Sequence, residues 1–160
     1  MQNPPASPFY IDPGSEIRNG LADALYRFGA GQDLRDRALF ASAFSVEASL
    51  DFTQPASRLG AEIPVFEGRD FIVEQIFSTI APLDTTHSVT NVRVTEWDGE
   101  KARIFALVEA QHLPKADHSR HLLLKNFYHC DLTHRDGLWL IDTMLIHNVW
   151  WTGDSAVLLG

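Results

Sequence analysis

Cysteine is nearly absent: Cys130 stands alone among 160 residues, which excludes an intramolecular disulfide and fits a reducing compartment. Basic residues are few beside acidic ones, 13 Lys and Arg against 21 Asp and Glu, giving a net charge of −8 with His neutral. Gripping a phosphate backbone takes clustered cations, so nucleic acid is not expected as a partner. The same charge disfavours an anionic membrane surface, and no apolar run approaches the roughly 20 residues of a membrane span. The first residues, Met1 to Pro8, lack a basic segment followed by an apolar one. No signal peptide is therefore expected, and the cytoplasm is the default location. No glycine-rich loop follows a strand pattern, which leaves nucleotide cofactors without a seat. The seven histidines come with no Cys pair and no helical His-Glu-x-x-His, so His112, His118, His121 and His129 are not read as a metal site. Cys130 has no evident catalytic partner and, at mid-strand, reads as buried and inert.

What remains is an ordinary soluble composition, 45% hydrophobic and 21% charged, long enough for one domain with its own core. Residues 1–14 hold four of the eight prolines and read as an extended N-terminal arm, suited to docking on a neighbouring subunit. Residues 15–160 read as a single domain. Ser15 looks like a helix N-cap, with Ile17, Leu21, Ala24 and Phe28 at helical spacing and Gly29 and Gly31 as stops. A second helix follows Asp36 with Leu39, Phe40, Ala43 and Phe44 on its inner face, then a short strand from Glu47 to Phe52. Residues 53–67 are loop-like. A third helix spans about Arg69 to Ile80, and Pro82 ends the region.

From there the period changes to two. Strands are expected over 87–97, 101–113, 121–133 and 138–150, with tight hairpins at Asp98-Gly99 and Asp136-Gly137. Helices first and an antiparallel meander afterwards mean α+β rather than a doubly wound sheet. Strands this long must curl, leaving a pocket between the concave face and the helices. Within that frame His87, at a strand start, sits at the mouth of whatever the sheet encloses, where a neutral imidazole can take or give a proton. Asp33 could be a helix cap after the glycine break, but Asp36 is an equally good cap and frees Asp33 for other work.

Three segments carry a family resemblance: Asp33-Leu-Arg-Asp36 through Phe44 to Asp51-Phe52; Thr86-His87-Ser-Val-Thr-Asn91; and Tyr128-His-Cys-Asp-Leu-Thr-His-Arg135-Asp-Gly-Leu-Trp139. In order and spacing they resemble the SnoaL-like branch of the nuclear transport factor 2-like superfamily, over about residues 15–152. The resemblance implies a cystatin-like α+β barrel: a cone-shaped, strongly curved mixed or antiparallel sheet wrapped against three N-terminal helices. The functional relatives it brings in are scytalone dehydratase, the hexachlorocyclohexane dehydrochlorinase and the bile-acid dehydratase, which use a pocket His–Asp pair and no cofactor. On this sequence the pair falls on His87, to abstract a proton from carbon, and Asp33, to orient its ring. His112 matches a second pocket histidine, Tyr128 a pocket-lining position, and Asn126 shares the face of Tyr128 by alternation. Phe28, Phe44, Phe52, Met144 and Trp150 are expected to complete an apolar chamber for a small hydrophobic, cyclic or aromatic molecule. Phe28 and Met144 stand where relatives carry a Lys and an Arg, which speaks against dehalogenation. Phe52 replaces a water-activating Tyr. Two functions follow: a cofactor-independent lyase or isomerase, or a non-catalytic binding or structural domain such as a ring-hydroxylating dioxygenase β-subunit. Either is expected to form a homodimer or homotrimer.

Overall fold

A computed structural model describes residues 11–160. Most of the expected arm thus lies outside the described residues. Its last part docks on this same chain, the Ile11 N–H donating to the Val94 carbonyl at 3.0 Å. Helix α1 (Ser15–Asp33) follows. Its buried face is Leu21, Ala24, Leu25 and Phe28, all 3% exposed or less, at the spacing that puts one stripe against a core. The N-cap is Gly14, with φ 96°, rather than Ser15.

Gly29 and Gly31 do not stop the helix, which continues through them to Asp33. They are there for close approach. A Cβ on Gly31 would lie 2.5 Å from the Phe40 backbone nitrogen, and one on Gly29 would lie 3.1 Å from the Cβ of His87. Glycine here lets α2 (Arg37–Ala41) and β3 (Leu83–Trp97) press against the last turns of α1. Asp36 caps α2 by accepting the Leu39 N–H at 2.9 Å. That helix is shorter than its apolar pattern suggested, because Ala43 already belongs to the turn and Phe44 opens β1 (Phe44–Asp51). The 53–67 stretch is not wholly loop: Thr53–Leu59 forms α3 and Phe66–Glu67 forms β2. Pro55 sits within the first turn of α3, where a missing N–H costs nothing. Helix α4 (Arg69–Ile80) agrees with its predicted span.

Strands β3, β4 (Lys101–Pro114), β5 (Leu122–Arg135) and β6 (Leu138–Gly153) form the long antiparallel meander, and a short helix α5 (Ala156–Leu159) ends the chain. Asp136 (φ 51°) and Gly137 (φ 80°) make the tight β5–β6 turn. The sheet order is β2-β1-β6-β5-β4-β3, with β1 parallel to β6, so the sheet is mixed and open rather than a closed barrel. Along β4 every second residue from Ala102 to His112 faces inward, and along β5 every second residue from Leu122 to Leu132 does so. Opposite that concave face lie α1 and α4, and Phe28, Phe40 and Phe44 interlock between them at ring separations of 5.3–5.9 Å.

Candidate active site

Asp33, the last residue of α1, meets the first half of β3. Its Oδ1 lies 2.7 Å from His87 Nδ1 and accepts the Thr85 hydroxyl at 2.9 Å, while Oδ2 accepts the His87 backbone N–H at 2.7 Å. The His87 side chain is only 4% exposed and Asp33 20%. Burial alone would push the Asp33 carboxyl up, but hydrogen bonds and charge from His87, with Thr85, outweigh it and hold the group below its ordinary value of 3.8. An ionised Asp33 fixes the tautomer. Nδ1 carries the proton and donates it, so Nε2 presents a bare lone pair.

Arg35 holds the Asp33 end of α1 against β3. It adopts a left-handed backbone at φ 57°, which turns its guanidinium back toward β3. There it donates to the carbonyls of Gln32 and Leu83, to the Ile80 carbonyl at 3.2 Å and to the Thr85 hydroxyl at 3.1 Å. The end of α1 is thereby tied to the start of β3, and Thr85 is left to donate toward Asp33. Gly29 admits the His87 side chain against the α1 backbone.

His87 faces a cavity of about 340 Å³ whose lining also includes Phe28, Phe52, His112, Asn126 and Tyr128. His112 is 5% exposed; burial foremost, then the nearby His87, lowers its pKa to about 4. It is neutral at pH 7. Its Nδ1 donates to the Leu122 carbonyl at 3.2 Å, and its ring stands edge-on to His87 at 6.0 Å. Burial pushes the Tyr128 phenol up, so it keeps its proton and can donate. Asn126, 1% exposed, has an Nδ2 with no hydrogen-bond partner.

Three residues assigned to the chamber by sequence do not line it. Phe44 packs behind it against Phe28 and Phe40, and Met144, 1% exposed, is core opposite Leu50 and Cys130. Trp150 is 48% exposed and carries Lys125 Nζ 5.4 Å over its ring. The cause is a bulge. Lys125 pairs with Trp150 but Asn126 pairs with Asn148, so Val149 is the extra residue and alternation slips by one. Trp150 therefore points outward and Trp151 packs inward beside Leu124 and Val157. In place of the three, the cavity takes Ile63, Pro64 and Phe66 from the segment before α4 and Leu158 from α5. Gln32, Gln75 and Thr79 add polar groups.

Thr85 could have been found, since it alternates with His87. Nothing in the pattern marks Arg35 or the 60–66 segment. Cys130 is buried, and burial raises its thiol pKa, as expected of an inert core cysteine. His118 pairs with Asp84 at 2.8 Å on the surface. Among the described residues no group of three His, Cys, Asp or Glu side chains is placed to hold a metal ion. No helix among them is long and apolar enough to cross a membrane.

An open mixed sheet curled over N-terminal helices, with a cavity-lining histidine joined to a carboxylate at the end of α1, defines a cone-shaped α+β pocket protein; His87 is the fifth residue of β3, its side chain buried, rather than at a strand start. The chain belongs to the SnoaL-like domain family, whose pattern matches residues 14–144. Terrestric acid biosynthesis cluster protein E of Penicillium crustosum is 33% identical over 159 residues, 96% of each chain. Among solved structures, a Novosphingobium aromaticivorans protein provisionally named a scytalone dehydratase superposes with a TM-score of 0.71 at 16% identity, covering 86% of each chain. The LinA-type3 hexachlorocyclohexane dehydrochlorinase of Novosphingobium barchaimii LL02 gives 0.70 at 18%, covering 86% of this chain and 90% of that one. A Nostoc punctiforme protein of unknown function with a cystatin-like fold gives 0.66 at 12%, covering 86% and 95%. At such identities the structural likenesses establish the fold alone.

Proposed function

We propose that this protein is a cofactor-independent lyase or isomerase of the dehydratase type, acting on a small hydrophobic cyclic or aromatic substrate with His87 as general base. The observation that carries the reading is the 2.7 Å contact from His87 Nδ1 to Asp33 at the edge of a largely apolar cavity. His87 Nε2 takes a proton from a carbon next to a carbonyl, and the electron pair of that C–H bond moves onto the carbonyl oxygen. Asp33 stabilises the imidazolium that results. The Asn126 amide and the Tyr128 phenol donate toward the oxygen that gains charge. The enolate then expels a group from the β-carbon, which is elimination, or takes the proton back at another carbon, which is isomerisation. Among the described residues the chamber walls supply no Lys or Arg to draw off a halide: Phe28 lines it, and Met144 is buried in the core. The name of the Penicillium crustosum relative supports a place in the biosynthesis of a small molecule. Self-association as a homodimer or homotrimer belongs to the same reading, and sedimentation equilibrium tests it.

The test is carbon-acid exchange. Purified protein incubated with 2-tetralone in D₂O should incorporate deuterium next to the carbonyl faster than His87→Ala does, read by mass spectrometry. Equal rates would remove the catalytic assignment. A second reading, a binding module, is favoured by how little acid the cavity offers beyond Asn126 and a buried Tyr128. Tight binding of 2-tetralone without exchange is the outcome that selects it.

A further inference from the structure

Asn126 lines the cavity, and the orientation of its amide is set one strand away. Asn148 is 1% exposed and sits at the β6 bulge. Its Nδ2 is surrounded by acceptors: Asn126 Oδ1 at 2.9 Å, the Trp150 carbonyl at 3.0 Å and the Lys125 carbonyl at 3.4 Å. Turning the Asn148 amide over would set its oxygen against those three oxygens, so the orientation is forced. Asn126 must then offer Oδ1 to Asn148. Turning Asn126 over instead would bring two NH₂ groups together. Its Nδ2 is then a buried donor on a cavity-lining side chain, near the Tyr128 hydroxyl but with no partner at hydrogen-bond distance, and Asn148 Oδ1 is left bare as well.

Helix α3 holds Asn148 from outside. Gln54 Oε1 accepts the Asn148 N–H at 2.8 Å and Gln54 Nε2 donates to the Asn148 carbonyl at 3.2 Å. Arg58 donates to the Asn148 and Val149 carbonyls, each at 2.8 Å. The bulge is thereby pinned at the residue that directs Asn126. A buried donor with no partner costs free energy until something accepts from it. We infer that Asn148 is a positioning residue: from the β6 bulge, clamped by α3, it fixes the Asn126 amide as a hydrogen-bond donor and so makes the cavity select ligands bearing an oxygen acceptor. The inference rests on the His87 cavity being the ligand site, and it adds the carbonyl or enolate oxygen as the feature recognised there.

The experiment compares 2-tetralone with tetralin, the same ring system without the oxygen, by calorimetric or fluorescence titration. Wild type should bind the ketone about tenfold more tightly, the effect of one well-placed hydrogen bond. Asn126→Leu and Asn148→Ala should both lose that ratio while keeping affinity for tetralin. Gln54→Met, which loosens the bulge from outside, should reduce it. His87→Ala should retain it, so failure here is separable from failure of the proton-transfer reading, which deuterium exchange alone decides. The wild-type side-chain NH₂ resonances that vanish in Asn126→Asp should move with 2-tetralone and stay still with tetralin. No ketone preference in wild type, unmoved Asn126 resonances, or a full preference surviving in both Asn148→Ala and Gln54→Met would overturn the assignment. Should Asn148→Ala not fold, an undiminished preference in Gln54→Met overturns it alone.

Discussion

His87 and Asp33 carry the proposed proton transfer, and their partners say what each substitution does. In His87→Ala, Asp33 keeps the His87 backbone N–H and the Thr85 hydroxyl, so the fold should survive. Turnover should fall by roughly 10²–10⁴, the usual worth of a positioned general base. Circular dichroism and initial rates on one preparation check both halves. Asp33→Asn is the sharper variant. The new amide oxygen would accept the backbone N–H, which turns its NH₂ toward His87 Nδ1. Nδ1 must then accept, the ring proton moves to Nε2, and the base is blocked without any change of shape. We expect a loss of about 10² or more in rate with the melting temperature nearly unchanged. A wild-type rate in Asp33→Asn would mean that the carboxylate does not set the tautomer.

At the scale of elements, α1 works only because its last turns are glycine. Propensity alone would make Gly31→Ala stabilising by about 1 kcal/mol in a helix. The Phe40 backbone 2.5–2.6 Å from that Cβ reverses the sign, because backbone cannot swing aside. Denaturant titration should find Gly31→Ala destabilised by about 1–3 kcal/mol, the usual cost of overpacking. The dyad should suffer with it, since the same turn ends in Asp33. Gly20 is the contrast within the same helix. Its nearest neighbour is the Trp139 side chain at 3.0 Å, which can yield, so Gly20→Ala should cost much less.

Over the whole molecule, acid is the condition that tests the buried site. His112 has a folded pKa near 4 against an ordinary 6.5, so between those values the unfolded chain binds the extra proton. Its contribution is complete above pH 6.5 and is lost as pH falls toward 4, by about 3 kcal/mol at most. Asp33, lowered below 3.8, contributes above that value and loses its share as pH drops through the folded pKa. Both slopes run the same way. Unfolding free energy measured from pH 7 to 4 should decline in wild type and decline less steeply in a folded His112→Gln variant. Equal slopes in the two proteins would show that another group dominates.

Local pattern alone determined a good part of this protein. Period-two runs bounded by Asp-Gly turns located the four long strands. The 3.6-residue stripe located α4 and most of α1, and the order of helices and strands gave α+β. The segments around Asp33 and His87 carried the family resemblance, and the expectation that those two residues pair came through it. Each of these is written in consecutive residues, which is why it can be read without a fold. What tertiary structure decided is everything that depends on approach. Gly29 and Gly31 look like helix stops and are contact points. Trp150 looks like a pocket wall and is turned outward by one extra residue in β6. Arg35, Thr85 and Asn148 orient the groups that matter through bonds spanning as many as 52 positions. No spacing rule reaches that far, because which strand meets which helix end is set by how the sheet curls and the core packs.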